Sequence, residues 1–213
     1  MKNGFNEQLV KNIKENLGSY FMAVLFFTIG IAAGAFTVKA LDNGQKQDLV
    51  IYLNRFFQIL GNEQIKSTTI LVQSLKNNFQ TIFFIWLLSI TIIGVPVTLF
   101  ITSFRGFIVG FTISFLIQGL GWKGLLFTLV AVLPQNIIFI PCLIIISALS
   151  ISFSVHSIKR KVRKGFINNV KGNMLSYTLS VGAILLIMLL GSLVEAYLSP
   201  ILIKSLSAYM IVQ

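Results

Sequence analysis

Side chains that commonly do chemistry are scarce in this 213-residue chain, which has one histidine, one cysteine and six acidic residues spread over its length. General acid–base work needs positioned acids and bases, and nucleophilic catalysis needs a nucleophile beside a base. His156 has no Cys, Asp or Glu at ligand spacing and reads as an interfacial histidine. Cys142, beside Pro141 in an apolar run, has no second cysteine with which to form an internal disulfide, so it says nothing about redox compartment. The phosphate-binding loop Gly-x-x-x-x-Gly-Lys-Ser/Thr, the zinc helix His-Glu-x-x-His and the serine nucleophile elbow are all missing from the sequence. ATP hydrolysis or metalloprotease chemistry would have to be supplied by another chain. Ser147 and Ser150, without a partnered His or Asp, make poor nucleophiles for an intramembrane enzyme. No catalytic residue, metal site or cofactor is expected.

The informative polar and small residues lie within or beside apolar runs. Gln135 and Asn136 follow Pro134 and precede Pro141, and Gly94-x-Pro96 falls inside another run. Proline frees backbone groups that lipid cannot satisfy, so protein must cover these positions. The two amides can form interhelical hydrogen bonds, or line a polar path between broken helices. No intramembrane charge is expected beside them, which favours the structural role. Gly30-x-x-x-Gly34 and Gly106-x-x-x-Gly110 each bare a helix face for close backbone approach, within the chain or across a homodimer seam. Glu195, followed by Tyr197 and Pro200, is expected at an outer helix end, as a solvated acid or a docking point for a partner, with Lys204 within reach.

These residues must be carried by membrane-spanning helices. The chain is 55% hydrophobic and 11% charged, with a mean hydropathy of +0.86, more apolar than a soluble domain. A spanning helix needs about 20 apolar residues. Runs 20–38, 79–102 and 174–198 qualify, and 124–155 is longer than needed. The run 106–122 is short, reaching about 26 Å as a straight helix. The expectation is an all-α, polytopic helical bundle of about five transmembrane helices forming one membrane domain over 1–213. The N-terminal polar lead and the run through Phe36 favour an uncleaved anchor over a signal peptide ending near Ala33-Gly34-Ala35.

Net charge is +11. Six of the seventeen basic residues, Lys159, Arg160, Lys161, Arg163, Lys164 and Lys171, cluster without an acid directly after an apolar run. A juxtamembrane patch explains them better than nucleic acid, which is not expected as a partner. Cytoplasmic loops collect Lys and Arg. This puts the N-terminus, a turn at Arg105 and a basic loop at 156–173 inside, with the loop 39–78 and the C-terminus outside. A re-entrant 106–122, or a reversal between Pro134 and Pro141, would invert the basic loop. In the outer loop, Leu49, Leu53, Phe56, Phe57 and Leu60 recur at helical spacing between the turn signals Asn43-Gly44 and Gly61-Asn62. That predicts an amphipathic helix on the membrane surface or on a partner. The tail beyond Pro200, with Ile201, Leu202, Leu206 and Met210, reads the same way.

Taken together, Ile51-Tyr52-Leu53-Asn54-Arg55-Phe56-Phe57, Ile92-Ile93-Gly94-Val95-Pro96, the segment from Gly106 to Thr112, Leu133-Pro134-Gln135-Asn136 with Ile140-Pro141, and the segment from Glu195 to Pro200 resemble the stage II sporulation protein M family in order and spacing over nearly the whole chain. The resemblance implies a role in engulfment during sporulation, as the mother-cell membrane migrates around the forespore and peptidoglycan is cut. It implies stage II sporulation proteins D and P, the wall-degrading enzymes, as partners held at the septal membrane.

The leading expectation is thus a non-catalytic multi-pass scaffold that recruits those hydrolases from outside, with Leu53, Phe56, Phe57, Glu195, Tyr197 and Pro200 as candidate partner contacts. The alternative is a channel or transporter-like permease component with Gln135 and Asn136 on its path. Membrane lipids are partners in either case, and a homo-oligomer is possible.

Overall fold

The computed structural model describes residues 16–62, 67–91, 93–162 and 170–201, excluding the side chains of Asn54 and of residues 56–62, 159–162 and 170–173. The described residues are almost entirely helical and contain no strand. The helices are α1 (Leu17–Ala40), α2 (Asn43–Asn62), α3 (Ser67–Ser89), α4 (Gly94–Leu120), α5 (Trp122–Phe127), α6 (Leu133–Val162) and α7 (Val170–Leu193). Two π-helical turns widen the path, Thr128–Val132 before α6 and Val194–Leu198 after α7. Among the described residues, four stretches are long and apolar enough to cross a membrane: Leu17–Ala40, Gly94–Leu120, Trp122–Ile158 and Met174–Ile201.

The chain is therefore an all-α membrane bundle, but its helices divide differently from the expected runs. A turn at Arg105 was expected to separate 79–102 from 106–122. Instead α4 runs unbroken through Arg105, and the chain reverses between Ser89 and Gly94. Residues 103–105 contain neither glycine nor proline, whereas Gly94-x-Pro96 suits a helix start, because the first-turn N–H that proline lacks has no intrahelical acceptor. A Cβ on Gly94 would meet the Leu88 carbonyl, so the tight return selects glycine. The short span 106–122 is thus the second half of a 27-residue helix, about 40 Å long. The reversal considered between Pro134 and Pro141 does not occur either, since Pro141 lies inside continuous α6. The loop expected over 39–78 is mostly helical, comprising α2 and the first half of α3. The basic loop 156–173 is shortened from both sides, by α6 to Val162 and by α7 from Val170. Five spans were expected; α3 is long enough for a fifth, but Gln73, Lys76, Asn77, Asn78 and Gln80 make its middle more polar than the other four.

The tightest seam joins α1 to α4. These two helices share the most extensive contact of any pair. A Cβ on Gly30 or Gly34 would collide with the carbonyls of Ser103 and Phe107, and one on Gly106 or Gly110 with those of Phe27 and Ile31. The two small-xxx-small faces thus lie against each other within one chain. In lipid, where the hydrophobic effect between helices is absent, this close packing is what holds such a pair together. Phe104, Phe107, Phe111 and Phe115 follow one another along α4 with ring centroids 6.0–6.4 Å apart.

The rest of the bundle closes around Ile82, Ile85, Leu143, Ile146, Tyr177, Val181, Ile184 and Met188. Buried hydroxyls cross-link α4 to α6, Thr98 to Ser150 at 3.0 Å and Thr102 to Ser147 at 2.7 Å. At one end of the bundle, Ser154 donates to the Thr91 carbonyl and Ser152 to Asn16. At the other end, α2 begins with a capping box: Gln45 N–H donates to Asp42 Oδ1 at 2.7 Å and Asp42 N–H to Gln45 Oε1 at 3.2 Å. Leu53 then packs with Leu116, Phe127 and Ala131. The α4–α5 turn nearby is closed by Gly121, whose φ of +58° suits glycine and whose N–H reaches the Ile117 carbonyl.

Candidate functional site

Both π-turns stand just before a proline. The carbonyl four residues before Pro134 belongs to Val130, and that before Pro200 to Ala196, each inside a π-turn. Proline in a helix clashes with that carbonyl and offers it no donor. Widening the helix by one residue relieves the clash and rotates the following side chains. The two turns bring Gln135, Asn136 and Glu195 to the same place, and Ser199 Oγ donates to Gln135 Oε1 at 3.0 Å between them.

That place is a cavity of about 260 Å³. Its polar walls come from α3 (Ser74, Asn77, Asn78, Thr81), α4 (Arg105), α6 (Gln135, Asn136) and the second π-turn (Glu195), and its apolar walls include Phe27, Phe139 and Met188. Arg105 is the twelfth residue of α4, about 17 Å along its axis and so near the middle. Its Nη2 donates to the Asn77 carbonyl at 3.1 Å and to Thr81 Oγ1. Glu195 accepts from Ser74 Oγ, whose lone pairs face Ser192 Oγ at 3.0 Å, and Asn78 Nδ2 lies 3.3 Å from both hydroxyls. A single charge at the centre of a membrane helix costs about 2.5–3.5 kcal/mol on insertion scales. Here the opposite charge of Glu195 acts on Arg105 and offsets part of that cost.

Gln135 and Asn136 were expected without intramembrane charge beside them; Arg105 and Glu195 share their cavity. Glu195 was expected at a solvated end or on a docking surface; it faces this interior site, and Lys204 lies outside the described residues. Leu53, expected as a partner contact, is 4% exposed and belongs to the chain's own core. Phe56 and Phe57 are on α2, but their side chains lie outside the described ones, as does the tail beyond Ile201. Tyr197 is exposed and Pro200 half-buried. Asn136 donates back to the Val132 carbonyl at 2.8 Å, and among the described residues His156 bonds its own helix, with Nδ1 2.9 Å from the Ser152 carbonyl. Sequence reasoning missed Asn77, Asn78, Thr81 and Arg105. Their signal was a single Arg inside an uninterrupted apolar stretch, and an Asn-Asn pair one helix earlier.

A helical membrane bundle with a charged polar pocket between its helices is the class this fold and site define. The description of the matching family model is "Stage II sporulation protein M", and the match covers residues 23–200, well over half of the chain. The chain belongs to that family of sporulation membrane proteins, which is not a known enzyme family. No curated protein and no solved structure gives a match.

Proposed function

We propose that the chain is a non-catalytic scaffold of the engulfment complex, holding stage II sporulation proteins D and P at the septal mother-cell membrane. The observation that supports this reading is the placement of α2. It is pinned to the bundle through Leu53 while Val50, Ile51 and Tyr52 stay exposed. It sits at the end of the bundle opposite Ser152 and Ser154, the end toward which α6 runs before the basic cluster in sequence. With the basic segment cytoplasmic, α2 faces the wall. With α3 as a fifth crossing, the N-terminus is inside and the C-terminus outside. The test is co-isolation of D and P with the full chain from sporulating cells. Recovery is expected from the unaltered chain and a several-fold loss from Ile51→Ser/Tyr52→Ser. Undiminished recovery with that variant removes α2 as the docking element, and no recovery with the unaltered chain removes the scaffold.

The cavity supports a second reading, a channel or transporter-like permease component. Arg105 and Glu195 add to Gln135 and Asn136 the ionisable groups a driven path needs. Solute flux in reconstituted vesicles separates the two readings.

A further inference from the structure

We infer that the cavity between α3, α4, α6 and the second π-turn binds a small zwitterion, its anionic group on Arg105 and its ammonium group on Glu195. The two charges face one cavity, yet among the described residues no direct ion pair joins them. Arg105 uses Nη2 for both of its bonds, to Asn77 and Thr81, which leaves Nη1 and Nε without a protein partner among the described residues. Glu195 uses Oε2, which leaves Oε1. The amides repeat the pattern. Among the described residues, Gln135 engages only its oxygen, leaving two N–H donors, while Asn136 and Asn78 engage only their nitrogens, leaving two carbonyl acceptors. Unmade hydrogen bonds at membrane depth are expensive.

The wall therefore offers fixed positive and negative charge, with both donors and acceptors to spare. A simple anion would leave Glu195 and the acceptors unanswered, and a simple cation would leave Arg105 and Gln135 so. A ligand carrying both charges answers both sets. The volume, about 260 Å³, equals that of roughly eight or nine waters at ~30 Å³ each. It admits a phosphoethanolamine lipid headgroup or a free amino acid.

This inference is independent of the scaffold reading, since a resident lipid headgroup would leave recruitment of the hydrolases unchanged. The test uses the full-length chain in nanodiscs of phosphatidylglycerol alone, with thermal unfolding as the readout. One arm adds phosphatidylethanolamine to the nanodiscs and the other adds free alanine to the buffer. A saturable rise in Tm in the lipid arm identifies a headgroup, a rise in the alanine arm a soluble zwitterion, and either supports the site. Inorganic phosphate and ethanolamine, each carrying one of the charges, are expected to give at least tenfold weaker half-saturation. Glu195→Gln and Arg105→Gln are each expected to weaken the effective probe tenfold or more. Should Arg105→Gln fail to fold, Glu195→Gln and Asn136→Leu decide. No shift in either arm, single-charge probes as effective as the zwitterion, or unchanged half-saturation in Glu195→Gln overturns the inference.

Discussion

The Arg105 guanidinium, halfway along α4, donates to the Asn77 backbone carbonyl of α3 at 3.1 Å. A charge carried into the interior of a membrane bundle thus clasps the polar side of α3. This relationship explains why α3 can keep Ser74, Asn77, Asn78 and Thr81 amid apolar neighbours: these residues wall a site between the helices. Arg105 and Glu195 are expected to be coupled accordingly. Arg105→Ala leaves the half-buried Glu195 without its counter-charge, so adding Glu195→Gln should recover part of the lost stability. A double-mutant cycle read by unfolding in detergent should give a coupling of about 0.5–3 kcal/mol, the range for groups in one network.

The α1–α4 seam gives a second expectation. Gly30→Ala and Gly106→Ala place a Cβ against a backbone carbonyl that cannot yield as a flexible side chain does. Each should destabilise by about 1–3 kcal/mol, as overpacking does. Gly18→Ala and Gly182→Ala, whose added Cβ meets nothing within 4 Å, should be neutral or slightly stabilising through helix propensity. Unfolding of the four variants side by side checks the contrast.

Tyr177 stacks on Phe153 with centroids 4.5 Å apart, and its buried hydroxyl lies near Ser89 and Ser150 without a well-formed hydrogen bond. Tyr177→Phe keeps the ring and deletes the unsatisfied group. It should be neutral or stabilise by up to about 1 kcal/mol. Tyr177→Ala should cost about 3–5 kcal/mol, as the loss of a buried aromatic does.

The hydroxyl pairs between α4 and α6 should matter less than their burial suggests. Thr98→Val and Ser147→Ala each remove one cross-link. Hydrogen bonds between membrane helices average about 0.6 kcal/mol, so each loss should stay below about 1.7 kcal/mol. Equilibrium unfolding of both variants measures it.

Apolar runs, glycine spacing and the proline-flanked amides were legible in the sequence because each acts locally. Gly30, Gly34, Gly106 and Gly110 announce bare helix faces in the chain, although only the fold shows that the two faces meet. Arg105 was misread because a lone charge between apolar runs has two physical explanations, an aqueous turn or a compensated buried site. Which one holds depends on Glu195, ninety residues away in sequence. Leu53 was misread for a similar reason. Helical spacing shows an apolar stripe on α2 but not whether Leu116 and Phe127 of the same chain already cover it.

The position of Arg105 inside the membrane, rather than at an aqueous turn, is the point on which the site and its chemistry depend. In a Cys142→Ser background, single cysteines at Ile93 and Phe104, both exposed on the bundle surface, report the two environments through labelling with a water-soluble maleimide in intact and opened membranes. Ile93→Cys, beside the α3–α4 return, should label readily once the cytoplasmic face is opened, and Phe104→Cys should remain at background because its surroundings are lipid. Labelling of Phe104→Cys as fast as Ile93→Cys would put the chain reversal at Arg105 and contradict the account.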